Sequence, residues 1–173
     1  GHSGATLAAR LDLPNGPVRA FALFAHCFTC SKDLMAARRI AADLAREGVA
    51  VLRFDFTGLG SSEGEFASTN FTSNVADLIA AADYLLGHYQ APSVLIGHSL
   101  GGAIAIDLAL RHPEAAGLII ESTFTSMQAM GELEYGFLPV GLLLNQRFES
   151  RQKIAQLKTP VLLIHGTWDK KVP

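Results

Sequence analysis

Gly97-His98-Ser99-Leu100-Gly101 sets a serine hydroxyl between two glycines. The apolar run Ser93-Val94-Leu95-Ile96 precedes it and reads as a strand. Gly102-Ala103-Ile104-Ala105-Ile106-Asp107-Leu108-Ala109-Leu110 follows it and reads as a helix. A serine on so sharp a strand-to-helix turn is presented as a nucleophile, and a Cβ at either flanking position would crowd the neighbouring strand and helix. The plainer reading is a serine that only caps the helix. A neutral hydroxyl is a weak nucleophile. It needs a base, an acid that orients the base, and N–H donors for the developing oxyanion.

The acid expected for such a serine is Asp169, in His165-Gly166-Thr167-Trp168-Asp169, beyond the last predicted strand and after Ser99 in chain order. Its alternative is an ordinary surface-turn aspartate. One oxyanion donor is the N–H of Leu100, which opens a helix where N–H groups lack partners and the dipole favours negative charge. The second comes from His26-Cys27-Phe28, with the Phe28 N–H favoured and Cys27 next. The base should follow the acid, yet only Lys170, Lys171, Val172 and Pro173 remain. His98 adjoins the serine, but at a sharp turn its side chain should point elsewhere. His165 is expected to pack under its loop, His26 to shape the oxyanion segment, and His88 and His112 to lie on the surface at helix ends. No base is evident in this chain.

Cys27-Phe28-Thr29-Cys30 is a competing motif, placed after a strand and before a helix as a redox Cys-x-x-Cys would be. The bland reading is two free thiols in a reducing compartment. Zinc is not expected, because there is no second cysteine pair and only His26 is close in sequence.

The elements that must position these groups alternate. Residues 5–13, the turn Pro14-Asn15-Gly16-Pro17 and residues 18–26 read as a hairpin. A helix is predicted over residues 31–47, with Leu34, Ile40 and Leu44 at helical spacing and Gly48 as its stop. A strand over 49–55 leads to the loop Thr57-Gly58-Leu59-Gly60-Ser61-Ser62-Glu63-Gly64. Then come a helix over 74–88, the strand over 93–96, and the helix after Ser99, stopped by His112-Pro113. A strand over 116–121, short helices and loop over 122–146, a short helix over 150–157 and a strand over 160–165 complete the pattern. Alternation of this kind implies an α/β fold, an open and mostly parallel sheet with right-handed crossovers and helices on both faces. Function then belongs beyond the carboxyl ends of the strands, where His26, Asp55, Ser99, Glu121 and Asp169 fall.

The 173 residues, 49% hydrophobic and 17% charged, are enough for one globular domain with a real core. A mean hydropathy of +0.26 suits strands buried on both faces. A formal charge of −2 gives no pull toward nucleic acid or an anionic membrane. No stretch has the length of a membrane span or the pattern of a signal peptide, so a cytoplasmic protein is the expectation. Gly1-His2-Ser3 reads as the remnant of a removed tag, leaving one domain over residues 4–173. No cofactor and no metal is implied.

Three stretches resemble the α/β-hydrolases. They are Ala25-His26-Cys27-Phe28-Thr29-Cys30-Ser31-Lys32-Asp33, Leu52-Arg53-Phe54-Asp55-Phe56-Thr57-Gly58-Leu59-Gly60 and Ile96-Gly97-His98-Ser99-Leu100-Gly101-Gly102. In this half the likeness is to the hydrolase module of OsmC-fused proteins. Leu118-Ile119-Ile120-Glu121-Ser122-Thr123-Phe124-Thr125-Ser126 and Pro160-Val161-Leu162-Leu163-Ile164-His165-Gly166-Thr167-Trp168-Asp169 look more like serine-aminopeptidase-like, bud-emergence-type hydrolases. The change of flavour near Ser99 suggests a recombined or engineered sequence. The resemblance implies an α/β-hydrolase fold, Ser99 as nucleophile, Asp169 as acid, the 55–64 loop along the approach, and Cys27 where the family's His-Gly-x oxyanion segment more often has glycine. It also implies a further helix, strand and His-bearing loop. A βαβ unit takes about 30 residues, so the chain is expected to be C-terminally truncated, without the final helix-strand-helix. The implied activity is esterase-type cleavage of a small ester, with Met127, Met130, Leu133, Phe137, Leu142, Leu143 and Leu144 hinting at an apolar substrate group or simply at core. Two other readings stand beside it: an incomplete fragment that self-associates through the edge of its last strand, and a thiol redox protein using Cys27 and Cys30.

Overall fold

The computed structural model describes residues 1, 4–27, 30–124, 126 and 149–166. Six strands form one sheet in the order β1-β3-β2-β4-β5-β6. They are β1 (Ala9–Asp12), β2 (Ala20–Ala25), β3 (Val49–Phe54), β4 (Val94–His98), β5 (Gly117–Glu121) and β6 (Val161–Ile164). The helices are α1 (Met35–Arg46), α2 (Phe71–His88), α3 (Leu100–Arg111) and the short α4 (Ser150–Ile154). Every pairing is parallel except β1 with β3.

The side-chain period of two divides the apolar strands cleanly. Phe21, Leu23 and Ala25 of β2, Ala50, Leu52 and Phe54 of β3, Leu95 of β4, and Leu118 and Ile120 of β5 join the core shared with α2 and α3. Ala22 and Phe24, Val51 and Ile96 face the other way, onto Ala37 and Ala41 of α1. A sheet covered on both faces has few polar strand positions, and this is the source of the continuous apolar runs.

The expected hairpin does not form. β1 pairs antiparallel with β3, with Leu11 opposite Leu52, and not with β2. Both edges of β2 are already taken by β3 and β4 in parallel. Leu11 gains core contact beside Leu52, and the Arg53 guanidinium donates to Asp12 Oδ2 at 2.7 Å across the β1–β3 pair, a diagonal contact that suits only this register.

Two helix starts also differ from expectation. α1 begins at Met35 rather than near Ser31, because Lys32 is already engaged: its N–H donates to Asp55 Oδ1, and its carbonyl accepts from Arg53. α2 begins at Phe71, three residues before the predicted start. Asn70 caps it, with its Oδ1 accepting from Ser73 N–H and the Ser73 hydroxyl oxygen accepting from Asn70 N–H. Lys153 pins α4 to α3 through Asp107, Nζ to Oδ1 2.6 Å. Among the described residues no helix is long and apolar enough to cross a membrane. Most of 122–146 lies outside the described residues.

Candidate active site

Ser99 stands where β4 turns into α3, with φ 52° and ψ −114°. A non-glycine residue at positive φ is uncommon and costs about 1–3 kcal/mol, so the surroundings must impose it. They do so from both sides. Ser99 N–H donates to Glu121 O at 2.9 Å, and the Thr123 hydroxyl donates to Ser99 O at 2.6 Å. The glycines are demanded by contact. A Cβ on Gly97 would stand 2.5 Å from Gly102 Cα, and one on Gly101 would stand 2.0 Å from Ala25 O. Gly102 is equally constrained, 2.5 Å from Thr123 Oγ1. A plain helix-capping serine explains none of this, and its side chain makes no capping bond to α3.

Leu100, the first residue of α3, is buried, and the first N–H groups of a helix have no partner within it. This is the N–H that the sequence nominates as a donor beside Ser99. Ala25 of β2 pairs with Gly97 of β4, so Cys27 follows β2 at the level at which Ser99 follows β4. Cys27 and Leu100 thus come from adjacent strand ends. Phe28 and Asp169 lie outside the described residues. Asp169 follows Ile164 by five residues, and Ile164 pairs with Glu121 on the same strand-end edge of the sheet.

A buried polar cluster supports this edge. Asp55 is fully buried and accepts from Lys32 N–H at 2.5 Å, Lys32 Nζ at 2.9 Å and Ser61 N–H at 2.9 Å. Burial alone would raise its pKa, but these hydrogen bonds, led by the Lys32 ammonium, outweigh it and hold the carboxyl below its usual value. The same partnership raises Lys32. Gly60, at φ +56°, leaves room for the carboxylate: a Cβ there would lie 2.3 Å from Asp55 Oδ2. His26 is fully buried beside it, Nε2 3.7 Å from Asp55 Oδ1. Phe56 N–H donates to Nε2 at 3.4 Å, so Nδ1 carries the proton and donates to Cys27 O at 2.7 Å. Burial lowers the His26 pKa, and the ring is neutral.

The histidines can now be sorted. His26 has both nitrogens engaged and shapes the Cys27 turn, as the sequence suggests. His88 and His112 are exposed at helix ends, bonded to Tyr84 O and to Glu114. His165 is exposed after β6, not packed beneath a loop. His98 is the surprise. A ring nitrogen lies within 4.8 Å of both Cys27 Sγ and Cys30 Sγ, and its Nδ1 is buried with no hydrogen-bond partner among the described residues. Proximity to Ser99 in sequence concealed this contact, which arises because β2 and β4 are neighbours. Cys27 and Cys30 are joined as a disulfide, not left as free thiols. The expectation of no zinc site weighed only His26 as a third ligand; the residue the fold places beside the two cysteines is His98.

Lys32, Ser61 and Thr123 are supporting residues that sequence reasoning did not single out. The available signal was an aspartate ending a buried strand before a glycine-rich loop. A cavity of about 950 Å³ is lined by Arg10, Arg19, Arg46 and Glu47 among others. It lies at the opposite, amino-terminal edge of β2 and β3 and has no part in this site.

A family model described as serine aminopeptidase, S33, matches residues 16–149. An uncharacterized protein of Mycobacterium tuberculosis is 37% identical over 129 residues, covering 73% of this chain and 44% of that protein. The chain therefore spans less than half the length of this curated relative. The crystal structure of an esterase domain from a Rhodothermus marinus protein is 38% identical, with a TM-score of 0.70, over 95% of this chain and 71% of that one. Est1E from Butyrivibrio proteoclasticus shares the fold at a TM-score of 0.78 and 22% identity, over 100% of this chain and 80% of its own.

Proposed function

The chain belongs to the serine aminopeptidase, S33, family, and from this premise we propose that it is the nucleophile-bearing part of a serine hydrolase that cleaves small carboxylic esters. The observation that carries the reading is the Ser99 turn, held at positive φ by Glu121 and Thr123 between glycines that admit no Cβ. Similarity to the Rhodothermus esterase domain supports the ester as substrate class.

In this reading Ser99 Oγ attacks the ester carbonyl while a histidine base takes its proton. The carbonyl oxygen becomes an oxyanion held by Leu100 N–H and by Phe28 or Cys27 N–H. Collapse expels the alcohol, which takes the proton from the base, and water then releases the acid from the acyl-enzyme. Asp169 orients the base. Among the described residues no histidine is placed as that base: His26 is committed to structure, His98 stands beside the two cysteines, and His88, His112 and His165 are surface groups. The test is fluorophosphonate labelling and hydrolysis of short-chain nitrophenyl esters by the full-length protein. Ser99→Ala is expected to abolish labelling and to lower turnover at least about 10³-fold. Equal turnover in the two proteins overturns the reading.

A second reading rests on β6. Val161, Leu162, Leu163 and Ile164 are 37–58% exposed along the outermost strand among the described residues. Such an edge templates strand addition. On this reading the 173-residue stretch by itself pairs β6 with a second copy.

A further inference from the structure

The sulfurs of Cys27 and Cys30 have no role in ester hydrolysis, and beside them His98 keeps a buried ring nitrogen without a partner among the described residues. We propose that Cys27 and Cys30 form a reversible thiol–disulfide centre, served by the His98 imidazole, and that its redox state sets the competence of Ser99. The second half of this proposal rests on the reading of Ser99 as nucleophile; the first half does not.

Four observations carry it. The two Cα atoms are 5.2 Å apart, within the usual span of a disulfide. The backbone enforces that separation without the sulfurs: Cys30 N–H donates to Cys27 O at 3.2 Å, and the buried His26 donates to the same carbonyl. The turn therefore keeps the thiols together after reduction, so that reoxidation is an intramolecular step favoured by proximity. Both cysteines are half-buried, open to a small reagent, unlike the fully enclosed cysteines that stay inert. Finally, an imidazole nitrogen within 4.8 Å of both sulfurs is close enough to hand a proton, through one bridging water, to a departing thiolate or to take one from an attacking thiol.

The exchange balances with a small dithiol as reductant. One reductant thiolate attacks a cysteine sulfur, the S–S bond breaks, and the released cysteine thiolate takes a proton by way of His98. The reductant's second thiolate then attacks its own sulfur in the mixed disulfide and frees the other cysteine. The protein gains two electrons and two protons, and the reductant leaves as a cyclic disulfide.

Coupling to Ser99 follows from packing. Cys27 carries a candidate oxyanion N–H, and His98 is covalently next to Ser99. The start of α3 presses so closely on the end of β2 that a Cβ on Gly101 would meet Ala25 O at 2.0 Å and His26 O at 2.7 Å. The hydrogen bonds to Cys27 O keep the two cysteines within reach of each other after reduction, while the disulfide adds the covalent constraint that fixes the orientation of the Cys27 N–H; opening the ring removes that added constraint. The oxidised form is therefore the active one.

The experiment equilibrates the full-length protein in dithiothreitol redox buffers, counts thiols by alkylation and mass, and measures the rate of fluorophosphonate labelling at Ser99. Expected are two thiols appearing together and reversibly, and a labelling rate about tenfold lower when reduced, less than the loss on deleting an oxyanion donor outright. Cys30→Ser should label at the reduced rate in every buffer. His98→Asn should slow reduction of the disulfide about tenfold, the expected loss for removing a proton-transfer group being at least of that order. Thiols that never pair, or that stay paired at every potential, overturn the redox centre. Reversible thiols with an unchanged labelling rate overturn its control of Ser99. If Ser99 labels in neither state while the thiols titrate reversibly, the hydrolase reading fails and the redox centre stands.

Discussion

Gly101 shows how much of the site rests on a single missing carbon. Its α-carbon faces Ala25 O so closely that Gly101→Ala must push α3 away from β2, and with it the Leu100 N–H. Overpacking of this kind costs about 1–3 kcal/mol. The variant should show a lower urea midpoint and little Ser99 labelling; a labelling rate equal to wild type would mean that the turn tolerates the shift. His26 and Asp55 make acid destabilising in two windows. His26 has a folded pKa below its ordinary 6.5, so the unfolded chain binds the proton first and stability falls as pH drops through 6.5 toward the folded value. Asp55 has a folded pKa below its ordinary 3.8, so its contribution is complete above that pH and is lost as pH falls through the folded value. Urea midpoints measured from pH 8 downward should decline in the first window for wild type and stay flat there for His26→Gln, which cannot titrate.

Among the elements, α2 depends on a cap that the apolar periodicity does not announce. Asn70 and Ser73 exchange side-chain-to-backbone hydrogen bonds at its start, and the helix gains a turn that brings Phe71 against the core. Asn70→Ala should cost about 1 kcal/mol in urea unfolding, with the fold retained. No change in midpoint would show the cap to be dispensable. The same lesson explains α1. Periodicity locates its inward face correctly through Leu34, Ile40 and Leu44, which pack beside the buried Ala37 and Ala41, whereas its first residue is decided by Asp55 and Arg53 gripping Lys32 from another part of the chain.

At the scale of the molecule, the sheet of the described residues runs from a short antiparallel edge strand, β1, to an exposed apolar one, β6. β1 is protected by the Arg10 and Asp12 charges beside it, while β6 presents four exposed apolar residues in a row. The 173-residue stretch should therefore show a solution mass that rises with concentration, and Leu163→Lys should bring it back to that of one chain. A constant monomeric mass in the wild type would remove the second reading.

Sequence alone determined the alternation of strand and helix, the mostly parallel sheet and the Ser99 turn. These follow from local physics: period-two and period-3.6 burial, and glycines where no Cβ fits. Tertiary structure decided the partner of β1, the contact of His98 with the two cysteines, and the bonding of Asp55 to the loop after β2 as well as to its own. Each of these joins residues far apart in the chain through strand neighbourhood. Strand order depends on competition among edges, Leu11 against Leu52 and Arg53 against Asp12, rather than on any pattern within one segment.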